Sequence, residues 1–457
     1  SSQHSLMESY FNYKIKQFVV ESHDGTSSTN LTSCVSSVQY YEDLFSPAIF
    51  VRLLLTNTDG LLTALQNENP AFQSGIKGGE RVRLEIEQPA FPNDSINFKE
   101  DKNTYYIYKV SMSTTEYKRE TLMVELCPSE VFMNETSRVF KKFTGSIGNS
   151  VYTILKDVLY SKKSNSKLKE SNIEATSNSY SFYGNSKRPF TVVTWLCPKS
   201  IPAKSESNPE KGTAGFLFYE NKTGYHFKSI DSLLSGLELG TSDKRTIQKY
   251  YYTTQEDTAT STQNNTIIGI PVFEKNVNVM ENLRIGMYAS QNYFFDINAR
   301  KFYVYDYKLK DSYELMSHSS SKNVPPIIPM GLEDSPSRLM VRTLDNFNAD
   351  PAVESDSTAA INNEDKSPLY QAASIARYNL AFSQSLNITI PLNLTLTVGD
   401  VIELVFPKIT TNSDQQGEKD NLKSGYYLIK ELSHLFEGNR GHTGLKLIRD
   451  SYGDPSQ

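Results

Sequence analysis

The sequence predicts a mainly β protein with an α+β middle segment, built from two homologous antiparallel β-barrels, a helix-containing domain and an insertion. Runs of alternating apolar residues bounded by turns fill residues 1–127 and return after residue 246. Tyr (28) and Phe (23) are abundant although only 38% of residues are apolar, which favours half-buried strands over disorder. One order of strands also occurs twice, which predicts that the two barrels are copies.

The first barrel is predicted over residues 1–127. A short helix is expected at DGLLTAL within it. Turn residues separate its strands at the spacing of an antiparallel barrel or sandwich. The strands are expected in YKIKQFVVES, AIFVRLLLTNT, ERVRLEIEQ, TYYIYKVSM and ETLMVELC.

The pattern changes to helices over residues 128–245. PSEVFMNETSRVFKKF has a proline at its predicted start and basic residues at its predicted end, and SIGNSVYTILKDVL places apolar side chains on one helical face. KRPFTVVTWLCPKS carries the only tryptophan, Trp195, on a third predicted helix. AGFLFYENKTGYHFKSIDSLL predicts a hairpin that turns at NKTG. The lysine-rich stretch YSKKSNSKLKESN is predicted to be a solvated loop, in preference to a site for an acidic partner.

The second barrel is predicted to be discontinuous, over residues 246–310 and 371–452. Residues 311–370 are rich in Ser, Asn, Asp and Pro and hold one apolar patch, RLMVRTLDN. We therefore predict an insertion domain or extended loop there, with little core of its own. The first part of the barrel is expected to contain a helix at VMENLRIGMYA and a hairpin at YFFDINARKFYVYDYKL.

The duplicated order begins with a glycine, an acid and an alternating strand. GERVRLEIEQP starts at Gly79 and GDVIELVFP starts at Gly399, and a tyrosine pair follows each glycine, starting 26 residues later at Tyr105 and 27 residues later at Tyr426. The closing strands are ETLMVELC and TGLKLIRD. One such strand is common in β proteins, but three in the same order favour a duplication. Three chains in a ring would then present six near-equivalent barrels on a threefold body.

Few residues are candidates for chemistry. GxGxxG, P-loop, nucleophile-elbow and HExxH motifs do not occur in the sequence. The net charge of −5 and pI of about 5.8 disfavour binding to nucleic acid through phosphate neutralisation. The beginning of the sequence does not match a secretory signal, and no run has the length of a membrane span. We expect a protein made in a reducing cytosol.

Cysteines and histidines were considered as ligands or nucleophiles. Cys34, Cys127 and Cys197 form no CxxC pair, and the last two precede a proline at an element end, which predicts buried thiols. His434 and His442 are spaced for a metal site but straddle a predicted turn, so a site is not favoured. These are the strongest of the candidates. The prediction is no catalytic, cofactor-binding or metal residue, no cofactor and no enzymatic activity.

His226 lies in the predicted hairpin between Tyr225 and Phe227. Strand alternation places it opposite those two rings. We expect a hydrogen-bonded or surface residue.

The order of segments resembles a known family. A barrel is followed by RPFTVVTWLCPKSI, by AGFLFYENKTGYHFKSID, and by a second barrel ending in GDVIELVFP, SGYYLIKELSHLF and HTGLKLIRDSYG. Over residues 10–452 this is similar to the central baseplate hub proteins of contractile-tailed bacteriophages, and to the N-terminal part of type VI secretion spike proteins.

The resemblance implies a homotrimer whose tube barrels form a pseudo-hexameric ring that joins the sixfold tail tube to the threefold spike and lets DNA pass. Implied partners are a central spike trimer, a tail-tube or tube-initiator hexamer and baseplate wedge proteins, with a tape-measure protein as a further candidate, and no specific nucleic-acid binding. The implied location is the virion tail baseplate, after assembly in the host cytoplasm. An acidic lumen would repel DNA. Candidate carboxylates for such a lumen lie at the strand positions Glu80, Glu85, Glu87 and Glu403, whose facing the sequence does not assign.

Two other functions stay open from the sequence. A carbohydrate- or receptor-binding β protein of a phage tail would use tyrosines and Trp195 as stacking platforms. A hydrolase of cell-wall glycan would need a domain for which no segment is left over.

Overall fold

The computed structural model describes most of the chain, and the statements below concern the described residues. These are residues 10–57, 76–116, 119–163, 167–203, 212–237, 246–253, 265–275, 277–297, 300–320, 329–344, 367–412 and 417–453. The helix predicted at DGLLTAL lies outside them.

Strands dominate the described chain. In sequence order they are β1 (Lys14–Glu21), β2 (Ser28–Asn30), β3 (Val35–Asp43), β4 (Phe50–Asn57), β5 (Arg81–Glu87), β6 (Ser95–Asn97), β7 (Tyr105–Glu116), β8 (Arg119–Pro128), β9 (Lys142–Phe143), β10 (Phe182–Tyr183), β11 (Phe216–Asn221), β12 (Gly224–Ser229), β13 (Gln248–Tyr251), β14 (Ile268–Lys275), β15 (Ala289–Asp296), β16 (Lys301–Lys308), β17 (Arg338–Thr343), β18 (Gln384–Pro391), β19 (Val401–Val405), β20 (Gly425–Glu437) and β21 (Arg440–Arg449).

Most of the described helices are short, and in the sequence they lie mainly in the middle segment, between the two predicted barrels. They are α1 (Ser129–Thr136), α2 (Ile147–Thr153) with a π-helical continuation (Ile154–Leu159), α3 (Pro189–Leu196), α4 (Ile230–Leu234), α5 (Val279–Ile285), α6 (Leu309–Tyr313) and α7 (Ser367–Ala381), with 3-10 turns at Thr32–Cys34, Glu170–Asn172, Cys197–Lys199 and Pro329–Asp334. Within the described ranges, none of these helices is long and apolar enough to span a bilayer.

Both barrels belong to one 14-stranded sheet. Its main path runs β14-β18-β21-β20-β3-β4-β8-β7-β5-β1-β2, with β6 on β5, and β19 joining β13 to β20. The first copy contributes β3-β4-β8-β7-β5-β1, and the second contributes β14-β18-β21-β20-β19-β13 in the corresponding order. The last pair differs, because β1 is antiparallel to β5 whereas β13 is parallel to β19. The predicted fold class, mainly β with two homologous barrels, is confirmed.

The predicted helices that lie among the described residues are present, but two of them end earlier than predicted. α5 ends at Ile285, where Gly286 is left-handed (φ +81°), so the end of VMENLRIGMYA lies beyond it. α2 and its π-helical continuation bury Ile147, Val151 and Ile154 as the apolar spacing predicts. α1 ends at Thr136, because Ser137 has extended backbone angles (φ −107°, ψ 150°). The basic residues predicted to complete this helix therefore lie beyond it, and they form a separate surface described below.

Three buried clusters organise the described chain. The largest unites the interiors of both barrels with residues of β11 and α4, including Leu217, Tyr219 and Ile230. A second fills the middle domain, and a third lies under β15–β17 and α7. The middle domain thus packs on the buried side of the large sheet. Our domain boundaries stay a prediction.

A separate three-stranded sheet combines β15 and β16, from the first part of the predicted second barrel, with β17 from the predicted insertion. β15 pairs with β16 as the predicted hairpin, and RLMVRT forms β17, which runs parallel to β15. Met340 is buried against the third cluster, whereas Phe302, Leu339 and Val341 are largely exposed. One face of this small sheet is therefore covered and the other is open.

Candidate assembly interface

A pair of backbone hydrogen bonds holds the glycine strand of the first barrel to its tyrosine strand. The Gly79 amide donates to the Ile107 carbonyl (2.5 Å), and the Ile107 amide donates to the Glu80 carbonyl (2.9 Å). Gly79 has φ +87°, a conformation that residues other than glycine adopt at a cost. The turn glycine noted in the sequence is thus required by the backbone.

The second barrel repeats this arrangement. The Gly399 amide donates to the Ile429 carbonyl (3.1 Å), the Ile429 amide donates to the Asp400 carbonyl (2.9 Å), and Gly399 has φ +90°. Directly after the isoleucine, the register of the following hairpin shifts in both copies, which leaves Tyr108 in β7 and Lys430 in β20 as bulged residues. Bulges are specific features of a strand, so the shared position supports the duplication.

A seam inside the chain joins the two barrels edge to edge. The first residues of β20 pair with β19, and the rest of the same edge pairs with β3, from Glu431↔Asp43 to Glu437↔Ser37. The backbone ladder therefore continues from one copy into the other without a break.

Glu42 links the two copies at this seam from the buried side of the sheet. Its carboxylate accepts hydrogen bonds from the Tyr40 hydroxyl (2.5 Å), the Thr397 hydroxyl (2.7 Å) and the Val398 amide (2.9 Å). Burial raises the pKa of this carboxyl above its usual range, and the three donors oppose that shift. Glu42 thus links β3 of the first copy to the loop before β19 of the second.

Gln88 makes a second tie between the copies. Its side-chain amide donates to the Leu392 carbonyl (2.5 Å), and its carbonyl accepts from the Leu394 amide (3.0 Å). Gln88 is fully buried. The sequence analysis did not single out Glu42 or Gln88. Both lie near the end of a strand, at positions that the alternating pattern assigns to the buried side, and a polar residue at such a position is a usable signal.

Among the described open strand edges, those of β7 and β14 concern the seam. β7 pairs with β5 only at Tyr105 and Tyr106, so its edge beyond Ile107 has no partner strand there. β14 pairs with β18 on one side and is the terminal strand on the other. In the two copies, β7 corresponds to β20 and β14 corresponds to β3. The open edges are therefore the equivalents of the two strands that form the seam.

One face of the large sheet is free of the middle domain and carries ion pairs. Arg52 contacts Glu125 at 2.9 Å, and Lys109 contacts the same carboxylate at 3.8 Å. Lys430 lies 3.2 Å from Asp43. We call this surface the open face. The cations named here all have a carboxylate neighbour.

The four acidic residues considered for a lumen are not grouped. Glu80 is buried and accepts from the Lys77 and Gly78 amides at 2.7 and 2.8 Å, so it stabilises the turn before β5. Lysine side chains lie 3.0–3.4 Å from the other three, which are Glu85, Glu87 and Glu403. None of them forms an unpaired acidic lining.

A buried charged cluster in the middle domain contacts the first barrel through Tyr105, whose hydroxyl donates to Glu220 at 3.3 Å. The Lys167 ammonium lies 3.2 Å from Glu130 and 3.4 Å from Glu220, and the Tyr160 hydroxyl donates to Glu130 at 3.1 Å. Burial, and then the neighbouring Glu130, raise the pKa of Glu220 to about 7. Burial lowers the pKa of Lys167, but the two carboxylates outweigh it and raise that pKa overall. The cluster fixes the relative position of the two parts.

A second buried cluster attaches α7. Arg377 contacts Asp450 at 2.9 Å and Asp231 at 3.0 Å, and His318 Nδ1 lies 2.7 Å from Asp450. Burial opposes ionisation of Asp450, yet His318 and Arg377 lower its pKa strongly. Because all of these groups are buried and mutually engaged, the arrangement is structural.

The two histidines considered for a metal site have separate surroundings. His434 is buried, its Nδ1 lies 2.8 Å from the Thr443 hydroxyl, and burial followed by Lys222 lowers its pKa to about 3. His442 is half-buried and packs edge-on to Phe11, with ring centroids 5.4 Å apart. In the described ranges, no group of three or more His, Cys, Asp or Glu side chains could hold a metal ion.

The three cysteines are buried, which the sequence predicts for Cys127 and Cys197. Burial raises the pKa of Cys34, of Cys127 (to about 12) and of Cys197. A thiol in this state is a poor nucleophile.

Trp195 and His226 occupy different settings. Trp195 is 44% exposed, with the Lys199 ammonium 4.7 Å from its ring centroid, so its ring is already engaged on one side. His226 Nε2 lies 2.7 Å from the Thr223 hydroxyl and 3.0 Å from Asn221 Oδ1. His226 is therefore the hydrogen-bonded residue that the sequence predicts.

Comparison with curated proteins supports the resemblance found in the sequence. Over 349 residues the chain is 24% identical to a protein named "Probable baseplate hub protein gp334" of Vibrio phage KVP40, and the match covers 73% of each chain. No family model matches this chain. The predicted resemblance to phage baseplate hub proteins is confirmed, and a function among baseplate hub and tail proteins is supported.

Solved structures of low identity also align along most of the chain. A tail protein from Neisseria meningitidis MC58 aligns with TM-score 0.47 and 11% identity, covering 97% of this chain and 99% of its own. The 43 kDa tail protein of prophage MuSo2 from Shewanella oneidensis gives 0.46 and 8%, covering 95% and 98%. The E. coli c3393 protein, a type VI secretion component, gives 0.40 and 11%, covering 96% and 78%.

Proposed function

We propose that this chain is the hub of a phage tail baseplate and closes, as a homotrimer, into a pseudo-hexameric ring. In this role it adapts a sixfold tail tube to a threefold central spike. The observation that carries the proposal is the seam between β20 and β3, together with the open edges of the equivalent strands β7 and β14.

The open edges define how one chain meets the next. The chain makes the β20–β3 contact internally and leaves the corresponding edges open, at the terminal strand β14 and along the part of β7 that extends beyond β5. Pairing of β7 in one chain with β14 in the next would repeat the internal seam between chains. Such a head-to-tail contact gives a ring when the rotation closes. Three chains give six barrels, which matches a sixfold tube.

The open face is suited to line the hole of this ring. The middle domain packs on the opposite side of the sheet through Leu217, Tyr219 and Ile230, so a ring that keeps this domain outside turns the open face inward. The cations named above on this face have carboxylate neighbours, as at Arg52 with Glu125 and Lys430 with Asp43. A lumen without free cations would let DNA pass without retaining it.

The proposed partners follow from the two symmetries of the ring. The six barrels would contact the tail tube or a tube-initiator hexamer, and the threefold side would contact the spike trimer. Wedge proteins would assemble around the hub, and a tape-measure protein is a further candidate. The role is structural, in the virion baseplate, after assembly in the host cytoplasm, and it includes no chemical step.

Mass photometry of the purified chain, alone and with a spike trimer, tests this proposal. We expect particles of three chain masses, with the open edges protected from hydrogen exchange relative to a dilute monomer. A persistent monomer in both samples would contradict it. Zymography on peptidoglycan tests the hydrolase alternative, for which a clear lysis band would be the positive result.

A further inference from the structure

The middle domain carries a basic and aromatic surface that the barrels do not use. Two short segments, 138–143 and 182–188, contribute five lysine and arginine residues and no carboxylate, in a chain whose net charge is −5. We call this surface the hairpin patch, and it consists of the exposed residues Phe140, Lys141, Tyr183, Lys187 and Arg188 together with the partly buried Lys142.

Backbone pairing brings the two segments together. β9 and β10 pair with Tyr183 opposite Lys142, and the Val139 amide donates to the Lys187 carbonyl at 2.9 Å. The return hydrogen bond runs from the Ser186 amide to the Val139 carbonyl at 3.0 Å. The patch is therefore defined by hydrogen bonds between segments about forty residues apart.

The turn that presents the patch is conformationally costly. Asn185 and Ser186 have φ of +51° and +57°, in the left-handed region. A Cβ at Gly184 would lie 2.3 Å from the Val139 carbonyl oxygen, so only glycine fits there. Residues other than glycine are strained in this region of backbone angles. The surrounding contacts hold the turn in one conformation.

The charges and the ring on this surface are accessible. Phe140 is 74% exposed and Tyr183 is 49% exposed. Arg188 pairs with Glu135 at 2.9 Å, whereas Lys141 and Lys187 form no ion pair with a described residue. The patch therefore combines two exposed rings, Phe140 and Tyr183, with two exposed lysines that have no ion-pair partner among the described residues.

We propose that the hairpin patch binds an acidic protein segment in which carboxylates flank an apolar side chain. The unpaired lysines attract the carboxylates and set the orientation, and Phe140 supplies the apolar contact that is buried on binding. Nucleic acid is the less favoured occupant for two reasons. Binding to phosphates would need only the lysines and would leave the exposed Phe140 without a role, and the chain as a whole is acidic.

Fluorescence anisotropy with a labelled 16-residue peptide of alternating Glu and Leu, added to the full-length protein, tests this inference. We expect saturable binding that weakens at least tenfold in the Lys141→Glu/Lys187→Glu variant and, separately, at least fivefold in Phe140→Ser. Lys162→Glu/Lys169→Glu is the matched control, since it makes the same charge change at exposed lysines of the same domain. This control should bind as the parent does. Thermal unfolding should be unchanged in all variants, because the altered side chains are exposed.

Three outcomes would overturn the inference. If the control variant lost peptide affinity to the same extent, the peptide would be attracted by the total charge of the protein and not by the hairpin patch. Unchanged affinity in Phe140→Ser, with displacement of the peptide by a 20-nucleotide single strand, would identify a nucleic-acid surface. Absence of peptide binding to the parent protein at millimolar concentration would remove the site.

Discussion

Gly79 and Gly399 have nearly the same backbone conformation, with φ of +87° and +90°, and each donates its amide to the isoleucine that follows a tyrosine pair. This relationship, between residues 320 positions apart, shows that the duplicated sequence pattern is a duplicated structure.

Alanine at these glycines is expected to destabilise the fold unequally. A left-handed residue with a Cβ costs about 1–2 kcal/mol. At Gly399 the new Cβ also lies 3.0 Å from the hydroxyl of buried Tyr219, whereas at Gly79 it meets the exposed imidazole of His23, which can move. Urea unfolding should therefore rank Gly399→Ala as the more destabilised. Gly25→Ala is the control, with φ +70° and no atom within 4 Å, and a loss in Gly399→Ala no greater than in this control would contradict the argument.

Removal of the Glu42 carboxylate is expected to weaken the seam. Glu42→Ala leaves a buried hydroxyl and a buried amide of the second copy without their acceptor, which typically costs 1–3 kcal/mol per group. We expect a free energy of unfolding lower by about 2–4 kcal/mol. Glu437→Ala, at the exposed end of the same seam, should change it by less than about 0.5 kcal/mol. Similar losses in both variants would exclude a special role for Glu42.

His434 is expected to make the protein sensitive to acid. Its folded pKa of about 3 lies below the usual value of 6.5, so the unfolded chain binds the proton more readily, and stability is lost as pH falls below about 6.5. His226, with a pKa of about 4, contributes in the same direction. His434→Gln should lose less stability than the parent between pH 7 and pH 4.5 in urea titrations. A parallel loss in both proteins would contradict this assignment.

Glu220 is expected to act in the opposite direction. Its folded pKa of about 7 is raised above the unfolded value of 4.5, so its contribution is complete below pH 4.5 and is lost as pH rises through 7. Glu220→Gln cannot lose a proton. The stability of this variant relative to the parent should therefore improve steadily from pH 5 to pH 8, and a difference independent of pH would show that Glu220 does not titrate in this range.

The local patterns in the sequence predicted most elements because turn glycines and strand alternation are short-range signals. The hairpin at NKTG and the apolar face of α2 are examples. The predicted end of α1 was wrong. The basic residues indicated a helix terminus, but the backbone is already extended at Ser137.

The seam could not be predicted in the same way. His434 lies opposite Tyr40, almost four hundred residues away, and no local pattern specifies which edges meet over that distance. His434 attracted attention as a metal ligand through its spacing from His442. Its role became apparent only from its burial beside Tyr40, with the two rings stacked at 5.6 Å.

Disulfide cross-linking across the open edges tests the ring most directly. Ser111 in β7 corresponds to Ser433, whose seam partner is Tyr41, and the equivalent of Tyr41 in β14 is Lys275, so Ser111 is expected beside residues 273–275 of the next chain. We would combine Ser111→Cys in turn with Phe273→Cys, Glu274→Cys and Lys275→Cys. The native cysteines are buried, so they should not interfere. Each single-cysteine variant is the control.

After mild oxidation and denaturing electrophoresis, the account predicts that at least one pair gives bands of two and three chain masses, with none larger. The single-cysteine variants should give no three-chain band. No cross-link from any of the three pairs, or a ladder that continues beyond three chains, would contradict a ring of three chains closed through β7 and β14.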